Sequence, residues 1–354
     1  MTDFNPRLLA LFQKRIDGDD SLLSLARLRF EQRHMGTEMY AENPDELRWL
    51  LGFKAGGMQP PVVVHLPRWI DIQQDSGVQA VLDFASACGR QVYGYVVHDT
   101  KAMVTKFSQY VNAVRFLDSR LNALHKRPYL FIEYASNMEL QRFIDFFGTI
   151  EDLPHTTACI DIGHIGLWQV RKTYKERHPG KDICALQPDQ PELCRLIDDV
   201  DHAVSSALKA VIYGIKALGA LNKPIHFHLH DGHPLSTFSP HGISDHLSFF
   251  KDIPLPFEHN GAKCVKTMFQ PHGLKQIVEQ AFAALPPQAL SFTLEIHPTF
   301  EKKPLDDAAW LFNHWVDKTN AEQMNAWLSV LGQNFDLLTQ AVQDSKASLS
   351  RKMS

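Results

Sequence analysis

The sequence predicts an α/β fold, a (β/α)8 TIM barrel with additional C-terminal helices. Two observations lead to this fold class: short, nearly all-apolar segments alternate with helical ones, and most of these segments end in a histidine or a carboxylate. Apolar strands that alternate with helices are typical of a parallel sheet covered on both faces. We expect a single domain over residues 1–354, with its barrel core at about 25–318 and a helical extension at about 320–345.

The composition is ordinary for a globular protein, with 44% hydrophobic and 21% charged residues. The net charge of −4 gives no broad basic surface, so nucleic acid is a disfavoured partner. Five scattered cysteines without a C-x-x-C pair argue against disulfides and thiolate zinc sites, and they favour the cytoplasm. We expect no signal peptide and no membrane association, because no run approaches the roughly 20 apolar residues of a membrane span.

Three elements are predicted before the regular alternation begins. Residues 6–16 are predicted as a short helix, and residues 25–30 as a first strand, for which a helix is the alternative. Asn43 and Pro44 mark the start of a further helix, because asparagine caps a helix and proline fits its first turn.

From residue 61 onward, strands and helices alternate. Strands are predicted at 61–67, 92–99, 129–134, 157–164, 224–230 and 290–298. Helices are predicted at 76–88, 101–125, 137–147, 191–220, 273–285, about 305–317 and about 320–345. A weaker strand candidate within 247–270 would help to complete eight strands. The alternative fold is an open doubly wound sheet, which is disfavoured because no glycine-rich phosphate-binding turn follows any strand.

Two further segments flank these elements. A polar, proline-containing interruption is predicted at about 166–190, and whether it closes over a site as a lid is left open. The last helix carries an apolar stripe that we expect to pack on the barrel, with a homo-oligomer contact as the alternative. The stripe consists of Trp327, Leu328, Val330, Leu331, Phe335, Leu337, Leu338 and Val342.

The strand at 224–230 carries the densest group of polar side chains. Residues two apart on a strand point to one face, so His226, His228 and His230 share a side. The apolar residues between them face the other way and belong to the core. One face therefore offers nitrogen ligands, which indicates a metal or acid–base site.

The other predicted strands end in similar residues. In a βα barrel the carboxyl ends of the strands lie on one face, where active sites are built. Carboxylates that converge there would be costly to bury unpaired, and a divalent cation relieves their repulsion. Histidine and carboxylate ligands without cysteine suit manganese or zinc, and also cobalt or iron. The candidates are His65, His98, Glu133, Asp161, His164, His228 and Glu295.

A glycine follows one of these strand ends. Gly163 lets the chain turn sharply after the strand, which brings Asp161 and His164 toward one centre or two adjacent centres. A tight structural turn is the alternative.

The ordered set of strand ends resembles the xylose-isomerase-like TIM barrel superfamily. This superfamily includes sugar isomerases and epimerases and the endonuclease IV type of AP endonuclease. The resemblance runs from about Val62 to Pro298, and its motifs in order are His, His, Glu, Asp-x-Gly-His, His-x-x-Asp, Asp-His and Glu. Each motif is short, and only the ordered set is specific.

Two branches of this superfamily imply different chemistry. The epimerase branch implies one divalent ion, often manganese, and a small polyhydroxylated substrate. Its two glutamates, here Glu133 and Glu295, act as acid and base in a proton transfer through an enediolate. The ligands that this resemblance implies are Glu133, Asp161, His228 and Glu295.

The endonuclease branch implies up to three ions, typically zinc, and a phosphodiester substrate. His65, His98 and His164 match its additional ligands. It has Asp-x-His where this chain has Ser244, Asp245 and His246, so the histidine fits and the carboxylate stands one position away. The chain thus departs from the trinuclear pattern at this one segment.

The sequence therefore favours a divalent-metal-dependent isomerase or epimerase that acts on a small sugar or sugar-like substrate. An endonuclease IV-like phosphodiesterase and a non-catalytic metal-binding barrel are the alternatives. Three residues are predicted to orient the ligands without binding the cation themselves: Asp231, His230 and Asp245. For Asp231, a place in a solvated loop is the alternative.

Overall fold

A computed structural model describes most of the chain. The described residues are 5–12, 20–53, 61–88, 91–124, 127–186, 192–235, 246, 248–249, 258–259, 262–263, 267–296 and 321–353. Within them, eight parallel strands close into a barrel, so the predicted fold class is confirmed and the open sheet is wrong. The single-domain boundaries stay a prediction.

The barrel strands follow one another around the sheet in chain order. They are β1 (Arg7–Phe12), β2 (Gly36–Tyr40), β3 (Val62–His65), β4 (Val92–His98), β5 (Tyr129–Glu133), β6 (Thr156–Asp161), β7 (Ile225–Leu229) and β10 (Leu290–Leu294). β10 pairs with both β7 and β1, which closes the sheet. Two further strands, β8 (Glu258–His259) and β9 (Ala262–Lys263), form a separate antiparallel pair.

Helices follow most of the strands. They are α1 (Asp20–Gln32), α2 (Pro44–Phe53), α3 (Asp75–Cys88), α4 (Ala102–Thr105), α5 (Phe107–Asn122), α6 (Leu140–Thr149), α7 (Ile162–Arg177), α8 (Leu193–Val204), α9 (Ala207–Gly219), α10 (Gln270–Ala284) and α11 (Ala321–Met353). The start of α2 is as predicted, because Oδ1 of Asn43 accepts a hydrogen bond from the backbone N–H of Glu46 at 2.9 Å.

The N-terminal predictions are wrong in two places. Residues 7–12, predicted within a helix, form β1, and residues 25–30, predicted as a strand, lie in α1. The leucine- and alanine-rich segment of β1 has a high helix propensity, which its pairing with β10 and β2 overrides. β2, with the sequence GTEMY, was not predicted, because a glutamate interrupts its apolar pattern. These two strands, rather than a segment within 247–270, complete the barrel.

Three predictions after β6 are corrected. Much of the interruption predicted at 166–190 is helical, since α7 continues to Arg177. The long helix predicted at 191–220 is two helices, α8 and α9, separated at Ser205 and Ser206. In the strand candidate within 247–270, the described residues form the small β8–β9 pair. The helix predicted at 305–317 lies outside the described residues.

The apolar interior of the barrel lies directly beneath the polar side chains at its carboxyl end. A small cluster inside the sheet consists of Leu9, Val63, Val96, Phe131 and Cys159. His65, Glu133 and Asp161 each follow a member of this cluster by two residues. Side chains two apart on a strand share a face, so these three side chains lie inside the barrel, one layer closer to its carboxyl end.

The C-terminal helix packs on the barrel, as predicted. Along α11 the side chains of Trp327, Leu331 and Leu338 are buried, and α11 lies against α10 and α1. Nε1 of Trp327 donates a hydrogen bond to the carbonyl of Ile296 at 3.1 Å, which ties the helix to the end of β10. Among the described helices, none is both long and apolar enough to cross a membrane.

Candidate metal centre

The predicted ligands converge at the carboxyl end of the barrel. His65, Glu133 and Asp161 are the last residues of β3, β5 and β6. His228 lies in β7, and Glu295 follows β10 directly. All five side chains are buried. Five strands therefore bring ligand atoms to one place above the apolar interior.

Four imidazoles surround the carboxylate of Glu133. Nε2 of His65 lies 3.0 Å from Oε2 of Glu133, and Nε2 of His98 lies 3.7 Å from the same oxygen. Nδ1 of His228 is 3.6 Å from Oε2, and Nδ1 of His164 is 3.6 Å from Oε1. Glu133 therefore sits between side chains from β3, β4, β7 and the start of α7.

Asp161 lies between a fifth imidazole, His230, and His164, which also contacts Glu133. Nε2 of His230 is 3.0 Å from both carboxylate oxygens, and Nδ1 of His164 is 3.4 Å from Oδ2. Oδ1 also accepts a hydrogen bond from the backbone N–H of His164 at 2.7 Å, which caps α7. Gly163 permits this arrangement, because a Cβ at that position would overlap the imidazole of His230.

His228 and Glu295 form the closest approach on the opposite side. Nδ1 of His228 is 3.1 Å from Oε2 of Glu295. Within the described part of the chain, both of these buried atoms lack a hydrogen-bond partner, as does Nε2 of His164. Buried polar atoms of this kind are costly unless a further group satisfies them.

Three of the imidazoles are oriented by acceptors outside the cluster. Nδ1 of His65 lies 3.2 Å from the carbonyl of Leu66, and Nδ1 of His164 lies 3.1 Å from the carbonyl of Tyr134. Nε2 of His228 lies 2.9 Å from a carboxylate oxygen of Glu38. An acceptor fixes the N–H on the nitrogen that faces it, so a neutral ring keeps its lone pair on the other nitrogen. For His65 and His228 that other nitrogen faces a carboxylate of the cluster.

His246 reaches the same cluster from the segment after β7. Its Nε2 is 3.7 Å from Oε2 of Glu295, and its ring stacks on that of His230 with centroids 4.2 Å apart. Ser244 and Asp245 lie outside the described residues, so the predicted role of Asp245 stays a prediction. The His246 position does place a further imidazole beside the cluster.

Sequence reasoning missed Glu38, which is fully buried inside the barrel. Its carboxylate lies 2.9 Å from Nε2 of both His226 and His228. Tyr40, two residues further along β2, donates a hydrogen bond from its hydroxyl to Oε1 of Glu295 at 3.0 Å. No signal in the sequence pointed to Glu38, because the strand that carries it, β2, was not predicted.

Burial and charge act in opposite directions on the pKa values of the site. Burial lowers the pKa of His98 to about 4, so this imidazole is neutral at pH 7. Burial alone would also lower the pKa of His228, but the anionic groups around it, Glu38 and Glu295 among them, raise it well above its ordinary value. Burial would raise the pKa of Glu133, whereas the surrounding imidazoles hold it well below its ordinary value. The carboxylate of Glu133 is therefore ionised at neutral pH.

The donor atoms fit one or more divalent cations. Among the described residues, the groups whose ligand atoms lie within 4.8 Å of one another include His65–His98–Glu133, Glu133–Asp161–His164 and His164–His230–His246. Mixed nitrogen and carboxylate oxygen donors suit transition metals. The unpartnered ring nitrogens and the carboxylate oxygen of Glu295 are the atoms that a cation would satisfy.

Asp231 is a buried carboxylate with different neighbours. Its oxygens accept hydrogen bonds from the backbone N–H groups of Gly232, Phe269 and Gln270 and from the hydroxyl of Thr267. Burial raises the pKa of Asp231 to about 6, although these donors act to lower it. These contacts tie the end of β7 to the start of α10, and the predicted support of a metal ligand by Asp231 stays a prediction.

Comparisons with known proteins add little to this description. No protein-family model matches the sequence, and no curated protein matches it. A xylose isomerase-like TIM barrel protein from Mycobacterium smegmatis, solved in complex with magnesium, is similar in structure. The identity is 10% and the TM-score 0.42, over 93% of this chain and 98% of that chain. That likeness is too weak to carry an argument, so the fold assignment rests on the strand topology.

Proposed function

We propose that this chain is a divalent-metal-dependent enzyme with a multinuclear site that hydrolyses phosphate esters. One observation carries the proposal: Glu133 belongs to two different ligand groups, one with His65 and His98 and one with Asp161 and His164. A carboxylate with two oxygens can bridge two cations, whereas a single cation needs only one of these groups. The group of His164, His230 and His246 adds room for a third.

The surroundings of these ligand groups leave their nitrogen atoms able to bind cations. His98 is neutral at pH 7, because burial lowers its pKa to about 4. Nδ1 of His65 faces the carbonyl of Leu66, which leaves Nε2, on the side of Glu133, available. Divalent cations held there would supply Lewis acidity, which polarises a phosphoryl oxygen and lowers the pKa of water.

A cationic side chain after β3 also suits an anionic substrate. Arg68 is exposed on the segment after β3, and its charge acts to lower the pKa of His98. A guanidinium whose charge is felt at a ligand can pair with a phosphate oxygen that cations alone do not neutralise. This supports a phosphate ester over an uncharged sugar as the substrate class.

A second candidate is the isomerase or epimerase favoured by the sequence. It is supported by the two glutamates beside Nδ1 of His228: Oε2 of Glu295 at 3.1 Å and Oε2 of Glu133 at 3.6 Å. Two carboxylates around one ligand nitrogen suit a single cation with an acid and a base on either side of a substrate. In this candidate the additional histidines bind substrate instead of cations.

Metal analysis of the purified protein distinguishes the two candidates. We expect two or more zinc ions per chain after reconstitution, measured by inductively coupled plasma mass spectrometry. We also expect the zinc-loaded protein to hydrolyse bis(4-nitrophenyl) phosphate. One manganese ion per chain, with exchange of a carbon-bound proton beside a sugar carbonyl, would support the isomerase instead. A protein that binds no ion even after reconstitution would contradict both.

A matched pair of variants connects the metal content to the activity. Glu133→Gln removes the shared carboxylate and should abolish both zinc binding beyond one ion and hydrolysis. Glu139→Gln makes the same change at an exposed glutamate ahead of α6 and should leave both unchanged. Cleavage of an abasic duplex by the zinc-loaded protein would narrow the substrate to DNA. Bound zinc without turnover of any phosphate ester would favour the non-catalytic barrel.

A further inference from the structure

Glu38 is a charged side chain inside the barrel that the proposed chemistry does not use. It lies at the centre of β2 and is fully buried. Its oxygens face two imidazoles of β7, with Nε2 of His226 and Nε2 of His228 each at 2.9 Å. A buried acid needs partners of this kind, because an unpaired carboxylate in the interior is strongly unfavourable.

The chemistry of this contact determines where the histidine N–H lies. An ionised carboxylate only accepts hydrogen bonds, so both Nε2 atoms carry a hydrogen and donate it to Glu38. A neutral His228 then has its lone pair on Nδ1. That atom lies 3.1 Å from Oε2 of Glu295 and has no hydrogen-bond partner in the described part of the chain.

We propose that Glu38 is a positioning residue that holds His228 in the tautomer and orientation that present Nδ1 to a cation. This inference rests on the proposed function, because it requires His228 to bind a metal. His65 and His164 are oriented by backbone carbonyls. Glu38 differs in carrying a full charge, which also makes the imidazole of His228 a stronger ligand.

The second contact of Glu38 keeps the carboxylate from rotating away. His226 lies 2.9 Å from the other carboxylate oxygen through Nε2, and its Nδ1 lies 2.8 Å from the hydroxyl oxygen of Ser291. Ser291, His226, Glu38 and His228 therefore form a continuous chain of hydrogen bonds across β10, β7 and β2. Such a chain fixes both the position and the direction of its last member, His228.

Zinc affinity measured by calorimetry on the full chain tests this role. Glu38→Gln keeps the shape of the side chain and removes its charge. We expect it to weaken zinc binding by about 10–100-fold, the loss typical when a partner of a metal-bound histidine is removed. The matched control is Ser291→Ala, which removes a hydrogen bond from the same chain two links away. We expect it to change the affinity by less than about threefold.

Equal losses in both variants would mean that the hydrogen-bond chain as a whole, and not the charge of Glu38, sets the affinity, and this would overturn the proposal. Wild-type affinity in Glu38→Gln would overturn it as well. If Glu38→Gln does not fold, the wild-type protein still decides the question. Nitrogen-15 NMR of the zinc-loaded protein, with His228→Asn to assign the resonance, should show a proton on Nε2 of His228 and zinc on Nδ1. Zinc on Nε2 would refute the proposal.

These outcomes separate the inference from the proposed function. A wild-type protein that binds zinc and hydrolyses phosphate esters, with an unaffected Glu38→Gln variant, retains the function and refutes the role of Glu38. A wild-type protein that binds no ion refutes both. A weakened Glu38→Gln variant with one ion per chain and no hydrolysis supports the positioning role and refutes the multinuclear phosphoesterase.

Discussion

Asp161 and Asp231 are both fully buried carboxylates at the ends of neighbouring strands, yet they have opposite surroundings. Asp161 faces the imidazoles of His164 and His230. It also accepts one hydrogen bond from a backbone N–H, that of His164, which caps α7. Asp231 is surrounded by backbone N–H groups and a hydroxyl. Burial alone therefore does not identify a metal ligand, and the identity of the neighbouring groups does.

This difference has a physical basis. A backbone N–H can donate to a carboxylate but has no lone pair for a cation, so a carboxylate held by such donors is already satisfied. An imidazole can donate or accept, and its second nitrogen can bind metal. A carboxylate among imidazoles is therefore part of a ligand set, whereas one among backbone donors is part of the framework.

The largest expected effect is on ion binding at Asp161. Asp161→Asn should weaken zinc affinity by more than about 100-fold, because removing a ligand costs more than removing the partner of a ligand. The unfolding free energy of the metal-free protein should change little, since asparagine caps a helix as well as aspartate does. Calorimetry and urea denaturation measure the two quantities. Retained affinity would remove Asp161 from the ligand set.

Asp231 should show the reverse pattern. Asp231→Asn replaces an oxygen that accepts from Gln270 and Thr267 by an amide that cannot accept, which should lower the unfolding free energy by about 2 kcal/mol. The number of zinc ions per folded molecule should not change. Urea denaturation of the metal-free protein is the measurement. Loss of zinc without loss of stability would place Asp231 in the site after all.

A smaller effect concerns pH. The anionic groups around His228 raise its pKa well above the ordinary value, and a protonated ring must lose its proton to bind a cation. Zinc affinity should therefore fall by about tenfold for each pH unit below that pKa. Calorimetry in buffers of different ionisation enthalpy measures the released proton. The Asp231→Asn variant should keep the same slope, and a flat profile in the wild type would contradict the expectation.

The sequence alone could locate most of the ligands because the chemistry sits at strand ends. Strands β3 to β6 end in histidine or an acid, and a histidine and a glutamate directly follow β7 and β10. A parallel barrel brings such ends together. Period-two spacing also placed His226 and His228 on one face. Both point inward, where they contact Glu38.

Contacts between distant strands could not be predicted in the same way. Glu38 is separated from His226 by 188 positions, so nothing near it in the sequence explains a buried acid. The start of the barrel was missed for a related reason, because β1 has the composition of a helix and becomes a strand only through its neighbours. Local sequence patterns thus identify the candidate ligands, whereas the residues that contact and orient those ligands can be identified only once the strand pairing of the closed barrel is known.

The contact between Gly163 and His230 has a consequence for recognising relatives of this chain. A side chain at 163 would occupy the space of the imidazole at 230, so each position limits what the other can hold. Glycine at the first and histidine at the second should therefore be inherited as a pair among related barrels. A sequence that carries alanine at 163 would be expected to carry a smaller residue at 230, which makes the pair a diagnostic signature for this arrangement.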